Sequence, residues 1–267
     1  MEQLIQAEKT EDTRKGITGS TLKIIAMITM LIDHIGATVV MQLVTKNPAN
    51  FDAFGNVRMT GMVLLYYILR GIGRLSFPIF IFLLLEGFAY THNRFLYIGR
   101  LLLFAIISEI PYDLAFNITS MWVRKGHFLE FTNQNVFFTL AIGLIVLTRL
   151  EGLRSLHMDT ILKTILIVGV VAFGAALAYA LHADYGAYGV LAICVAYGFR
   201  DQKKELRMAA PCVILCVMDM SELYALVDAG IIYFYNGKRG LKLKWAFYIF
   251  YPLHLLILAG ICVLLFK

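Results

Sequence analysis

The chain of 267 residues is 60% hydrophobic and 16% charged, with a formal net charge of +6 and a mean hydropathy of +0.74. Its apolar residues come in runs rather than in alternating or amphipathic patterns, as in Ala246 to Phe266, which excludes a soluble globular domain and identifies an all-α polytopic membrane protein. The basic residues are scattered at helix ends and are not gathered with aromatics on one face, so the charge reports membrane topology and not nucleic-acid binding.

Residues 1–20 form a polar tail without an apolar h-region, so no cleavable signal peptide is expected and the first span acts as its own insertion signal. Residues 21–267 read as a single transmembrane domain. Leu22 to Val44 is long enough to cross a bilayer and carries Asp33 and His34 at its midpoint, where ionisable groups are costly and usually functional. Lys23, Met27, Met30 and His34 fall on one helical stripe, with Lys23 and His34 roughly 16 Å apart along the axis. A cation at the membrane surface and an imidazole at mid-depth are therefore expected to look along one groove.

A polar outer loop, Thr45 to Thr60, comes next. Gly61 to Tyr90 contains Gly71, Gly73 and Pro78 and reads as a short tilted or re-entrant piece followed by a span from Ile72 to Tyr90. Further spans are Leu96 to Phe116, Asn135 to Thr148, Thr160 to Leu181, Ala187 to Phe199, Leu206 to Met218, Glu222 to Tyr235 and Trp245 to Phe266. The expectation is about nine transmembrane helices, within a range of eight to ten. Several are shorter than the roughly 20 residues a bilayer needs. With the N-terminus cytoplasmic, seventeen of the 24 Lys and Arg residues fall inside, which predicts a cytoplasmic N-terminus and a C-terminus outside. Cys194, Cys212, Cys216 and Cys262 all lie in apolar segments; Cys212 and Cys216 are one turn apart but lack His partners, so they read as small hydrophobes and no metal is expected.

The polar residues within spans are the candidates for chemistry. Counting from the inner ends places His34 roughly 18 Å and His254 roughly 15 Å deep, so the two are expected to share a site. The plainer alternative has each imidazole bonded to a backbone carbonyl freed by helix irregularity, as Pro252 would provide for His254. Arg70 and Arg74 share a face in the outer half of their span. Glu109, Tyr112 and Asp113 overlap them in depth, so Arg74 is expected to pair with Glu109 or Asp113, either fixing two helices or shaping a polar substrate cavity with Arg70. Asp33 lies about 100° round its helix from His34 and is placed to orient an arginine or a neighbouring helix. Glu86 sits near the inner end of its span, reaching water or substrate. Asp184, Asp219 and Glu222 mark the outer ends and suit either a cationic acceptor or helix caps, and Gln134 and Asn135 either bind a ligand or cap the helix they open.

Five segments, LKIIAMITMLIDHIG (Leu22 to Gly36), GRLSFPIFIFLLLEGFAYTHN (Gly73 to Asn93), SEIPYDLAF (Ser108 to Phe116), QNVFFTLAIGL (Gln134 to Leu144) and FYIFYPLHLLIL (Phe247 to Leu258), together resemble the TraX family. The resemblance runs from about Thr21 to the C-terminus. It implies an integral N-acetyltransferase of the bacterial cytoplasmic membrane, of the kind that acetylates the N-terminus of conjugal pilin subunits. Lys23, ten intervening residues and His34 also resemble the basic-residue and histidine signature of the wider membrane acyltransferase-3 group, in which that histidine is taken to be catalytic. Arg70 and Arg74 are similar to that group's arginine pair, although their spacing of four departs from its usual three. The resemblance implies acyl transfer more firmly than it implies pilin.

The residues fit such chemistry. Lys23 with Lys242 or Lys244 can hold the phosphates of acetyl-CoA at the cytoplasmic face. A neutral His34 can act as general base toward an amine or hydroxyl acceptor, and Arg74, Tyr251 or His254 can donate to the developing oxyanion. The same intramembrane ionisable residues fit a proton- or ion-coupled transporter, although the chain shows no inverted repeat. A non-catalytic assembly scaffold would need no mid-membrane histidines. Binding and turnover of acyl-CoA separates the three.

Overall fold

The computed structural model describes residues 16–117, 130–242 and 244–266. Among them the regular structure is helical, with three isolated β-bridges and no strand. Six helices are long and apolar enough to cross a membrane. Helix α1 (Gly19–Lys46) is continuous but has a π-helical segment, Gly36–Val40, immediately after His34. Such a segment inserts an extra residue per turn and re-aims the side chains beside it.

Helices α2 (Gly61–Gly73) and α3 (Ser76–Tyr90) form one bent span and not a re-entrant piece plus a span. The bend falls at Arg74 and Leu75, with Pro78 in the first turn of α3, where a missing N–H costs the helix least. Helices α4 (Arg94–Phe116), α5 (Val136–Ser155) and α6 (Thr160–Ala180) complete the central crossings. Their starts are set by side-chain caps: Asn93 accepts from the Leu96 N–H, Asn135 from that of Phe137 and Asp159 from those of Ile161 and Leu162.

In the stretch expected to hold three further spans, α7 (Gly186–Gly198) and α8 (Lys204–Met218) are short, and the third is a 3-10 turn, Met220–Leu226, leading into the seven-residue α9 (Val227–Tyr233). The last helix, α10 (Lys244–Phe266), runs parallel to α1. At one end, Gly19 and Ser20 donate to the Lys238 and Arg239 carbonyls at 2.8 and 3.0 Å; at the other, Lys46 Nζ donates to the Phe266 carbonyl at 2.9 Å.

Helix α3 is the most enclosed: Phe77, Ile79, Ile81 and Phe82 are buried, and the core continues through Phe137 on α5 and Tyr251 on α10. Lipid is as apolar as these side chains, so they stabilise the bundle through close packing and not through the hydrophobic effect. Helix α6 does the opposite, burying only Gly174, Ala175 and Ala178. The bundle is stepped. Phe137, in the first turn of α5, packs 4.9 Å from the Tyr251 ring, and the Gln134 backbone pairs with His182 and Asp184 in the α6–α7 turn. The α5–α7 ends thus lie near the level of the two histidines, while α1 and α10 each continue past them for roughly 18 Å of helix.

Candidate functional site

His34 and His254 meet. Their rings stack with centroids 4.9 Å apart, and His34 Nδ1 lies 2.7 Å from His254 Nε2. The direction of that bond follows from a second one: His254 Nδ1 is 2.7 Å from the Phe250 carbonyl, which can only accept. The His254 proton therefore sits on Nδ1, its Nε2 accepts, and His34 donates from Nδ1. This leaves His34 Nε2 as an unprotonated lone pair with no hydrogen-bond partner among the described residues. Phe116 and Tyr251 close edge-on around His34 at 5.3 and 6.1 Å, leaving its side chain 9% exposed. Proline does remove one helix donor at position 252, but the carbonyl it frees is that of Tyr248; His254 takes the Phe250 carbonyl one turn below it instead.

Beside the pair, Asp33 binds Arg70 of α2. Helix α2 passes so close here that a Cβ on Gly73 would overlap the Asp33 carboxylate, which explains a glycine at that position. Arg74 does not pair with Glu109 or Asp113. From the bend it reaches the α8–α9 connection, lying 3.0 Å from Glu222 and 3.2 Å from Asp219. Asp219 and Glu222 thus share one cation of the chain itself. The Ser221 backbone N–H first, then its hydroxyl and the Arg74 guanidinium, hold Asp219 below the usual carboxylate range.

Glu109 and Asp113 have other work. Glu109 Oε2 accepts from the Asn135 side chain, which also donates to the Ala105 carbonyl at 2.8 Å while capping α5. Asp113 accepts the Glu130 backbone N–H at 2.8 Å and so ties the chain ahead of α5 to α4. Asn135 caps α5, and Gln134 bridges through its backbone to the α6–α7 turn. Tyr112 packs on Phe116, 4.7 Å between centroids, and Phe116 in turn meets the His34 ring.

A cavity of 570 Å³ opens at the Gly19 end of the bundle. Lys23 lines it, as expected, but His34 does not; Phe247 and Tyr248 stand in its wall. Tyr251 belongs with the histidines and not with the cavity. Lys242 is absent from the wall, and the Lys244 side chain lies outside the described residues. The wall's other cations are Arg100 and Arg239, which sequence reading took as topology markers only. Glu86 lines the cavity without being free there, because Arg207 of α8 donates to it at 2.7 Å and Tyr235 at 3.2 Å.

The profile of the TraX protein family matches residues 18–262, from the cap of α1 to the last turns of α10. The chain belongs to the TraX family. It is also 32% identical, over 261 residues, to the probable fimbrial assembly protein FimC, serogroup H1, of Dichelobacter nodosus, an alignment covering 90% of this chain and 93% of that protein. No solved structure matches it. The TraX match covers both members of the histidine pair, the Asp33–Arg70 pair and the cavity's Lys23, Arg100 and Arg239.

Proposed function

We propose that this TraX protein is an integral-membrane acyltransferase of the bacterial inner membrane, with its Gly19 end in the cytoplasm. It moves an acetyl group from acetyl-CoA to an amine, the N-terminus of a pilin or fimbrial subunit, or to a hydroxyl presented from the outer side or within the membrane. The observation that carries this reading is the bond chain Phe250–His254–His34, which leaves His34 Nε2 as a fixed base in a dry setting.

In the step proposed, the neutral acceptor amine attacks the thioester carbonyl carbon as His34 Nε2 takes its proton. The tetrahedral oxyanion collapses, the carbon–sulfur bond breaks, and the proton passes from His34 to the departing CoA thiolate. Of the expected oxyanion donors, Arg74 is held by two carboxylates and His254 uses its N–H on Phe250, so Tyr251 remains. The donor enters through the inner cavity; from Tyr248 in its wall to His254 is roughly 9 Å of α10, which the thioester arm crosses when the Phe247 and Tyr248 rings part. Acetyl transfer is tested with purified protein in lipid discs, labelled acetyl-CoA and a fimbrial-subunit N-terminal peptide, product being read by mass spectrometry. Acetylated peptide that depends on the protein supports the reading; no transfer to any amine or hydroxyl acceptor, with acetyl-CoA left intact, overturns it.

A further inference from the structure

Lys23, Arg100 and Arg239 reach the inner cavity from three different elements, α1, α4 and the loop before α10. None of them forms an ion pair among the described residues. Arg100 Nε is buried without a hydrogen-bond partner, and its guanidinium lies 5.6 Å from the Tyr97 ring. The carboxylate in the wall, Glu86, is already matched by Arg207. The cavity therefore gathers three cations with no acid left to offset them.

The position of Arg239 is built. The carbonyls of Lys238 and Arg239 take the first two N–H groups of α1, and the Leu241 N–H donates to Ser20 Oγ at 3.0 Å. Gly240 has a φ of 68° and lies against Thr18 and Ser20, where any Cβ would overlap them. Like charges held together by a rigid frame repel one another, and a polyanion removes that cost by neutralising them together. Two guanidinium forks grip phosphate oxygens in pairs, and an ammonium adds a point charge.

We propose that Arg100 and Arg239 complete, with Lys23, a three-cation clamp for a nucleotide carrying more than one phosphate group. The rings of Tyr97 and Tyr248 supply flat apolar wall beside it, and 570 Å³ is within the usual range for a small-molecule site. A nucleotide is favoured over a lipid headgroup because three cations exceed what a single phosphodiester needs. The clamp deepens the acyl-CoA reading, and rests on it only for the identity of the nucleotide.

Binding of CoA, dephospho-CoA and pantetheine to the full-length protein in phosphatidylcholine discs tests the clamp, with phosphatidylglycerol discs as the lipid arm. CoA is expected to bind, dephospho-CoA more weakly and pantetheine weakest. Arg100→Ala and Arg239→Ala are each expected to weaken CoA binding by about 10- to 100-fold, the usual loss for a charge-assisted contact. Arg100→Lys keeps the charge without the fork, recovers part of the affinity, and serves where Arg100→Ala does not fold. Lys163→Ala, in the first turn of α6 and not in the cavity wall, controls for general loss of positive charge and leaves binding unchanged. Wild-type CoA affinity in the Arg100 and Arg239 variants overturns the clamp, as does equal binding of pantetheine and CoA. Displacement of CoA by phosphatidylglycerol with the same arginine dependence assigns the cations to lipid and also overturns it. Arginine-dependent CoA binding without acetyl transfer leaves the clamp standing and removes the transferase; transfer with arginine-independent binding does the reverse.

Discussion

The Phe250 carbonyl, by accepting from His254 Nδ1, dictates that His34 donates to His254 and not the other way round. The two histidines are therefore unequal despite their stacking. His34→Ala should lower acetyl transfer by the roughly 10²- to 10⁴-fold typical of a lost general base while CoA still binds. His254→Ala should cost less, and should change the shape of the pH–rate profile because the His34 tautomer is no longer set by a partner. Both profiles are measured as kcat/KM against pH with folded, purified variants. Equal losses and unchanged profiles in the two would show that no such order exists.

Gly73 faces the Asp33 carboxylate without room for a methyl group, whereas Gly169 on α6 faces open space. Gly73→Ala should destabilise the protein by about 1–3 kcal/mol, the usual cost of forcing a core apart. Gly169→Ala should be neutral or stabilising by about 0.5–1 kcal/mol, through the lower chain entropy of alanine. Thermal unfolding in detergent reads both, and a Gly73→Ala protein as stable as the parent would contradict the close approach of α1 and α2.

Arg74 offsets Glu222, whose side chain is wholly buried. Arg74→Leu alone strands that carboxylate and should cost about 3–5 kcal/mol, seen as loss of folded yield. Arg74→Leu with Glu222→Leu should recover much of the yield. Similar yield from single and double variants would mean the pair carries no weight.

A cysteine at Ala53, in the exposed loop between α1 and α2, should react with an impermeant thiol reagent from outside intact cells, and one at Gln202, between α7 and α8, only after permeabilisation. The opposite pattern would invert the topology and put the cationic cavity on the wrong side for cytoplasmic acetyl-CoA.

The helical membrane architecture was legible because apolar runs fix both element type and solvent, and depth counting alone brought His34 and His254 together. What failed was partner choice. Depth counting says nothing about azimuth, and the capping Asn135 reaches Glu109 from a third helix while Arg74 goes to Glu222. Where three further spans were expected, the chain forms two short helices and a 3-10 turn leading into a seven-residue helix, because hydropathy measures apolarity and not continuity. Arg100 and Arg239 were counted as inside markers. A Lys-Arg pair followed by Gly240 at positive φ offered a clue, since a turn that needs glycine holds its neighbouring cation in place.

The histidine pair is divided between the first described helix and the last, 220 residues apart in the chain. During synthesis the first helix enters the membrane with His34 unpartnered, and nothing that follows supplies an imidazole to its Nδ1 until α10 is inserted. A nascent chain, or one cut short before His254, therefore lacks the partner that fixes the His34 tautomer. The fold makes insertion of the last helix the event that completes the histidine pair.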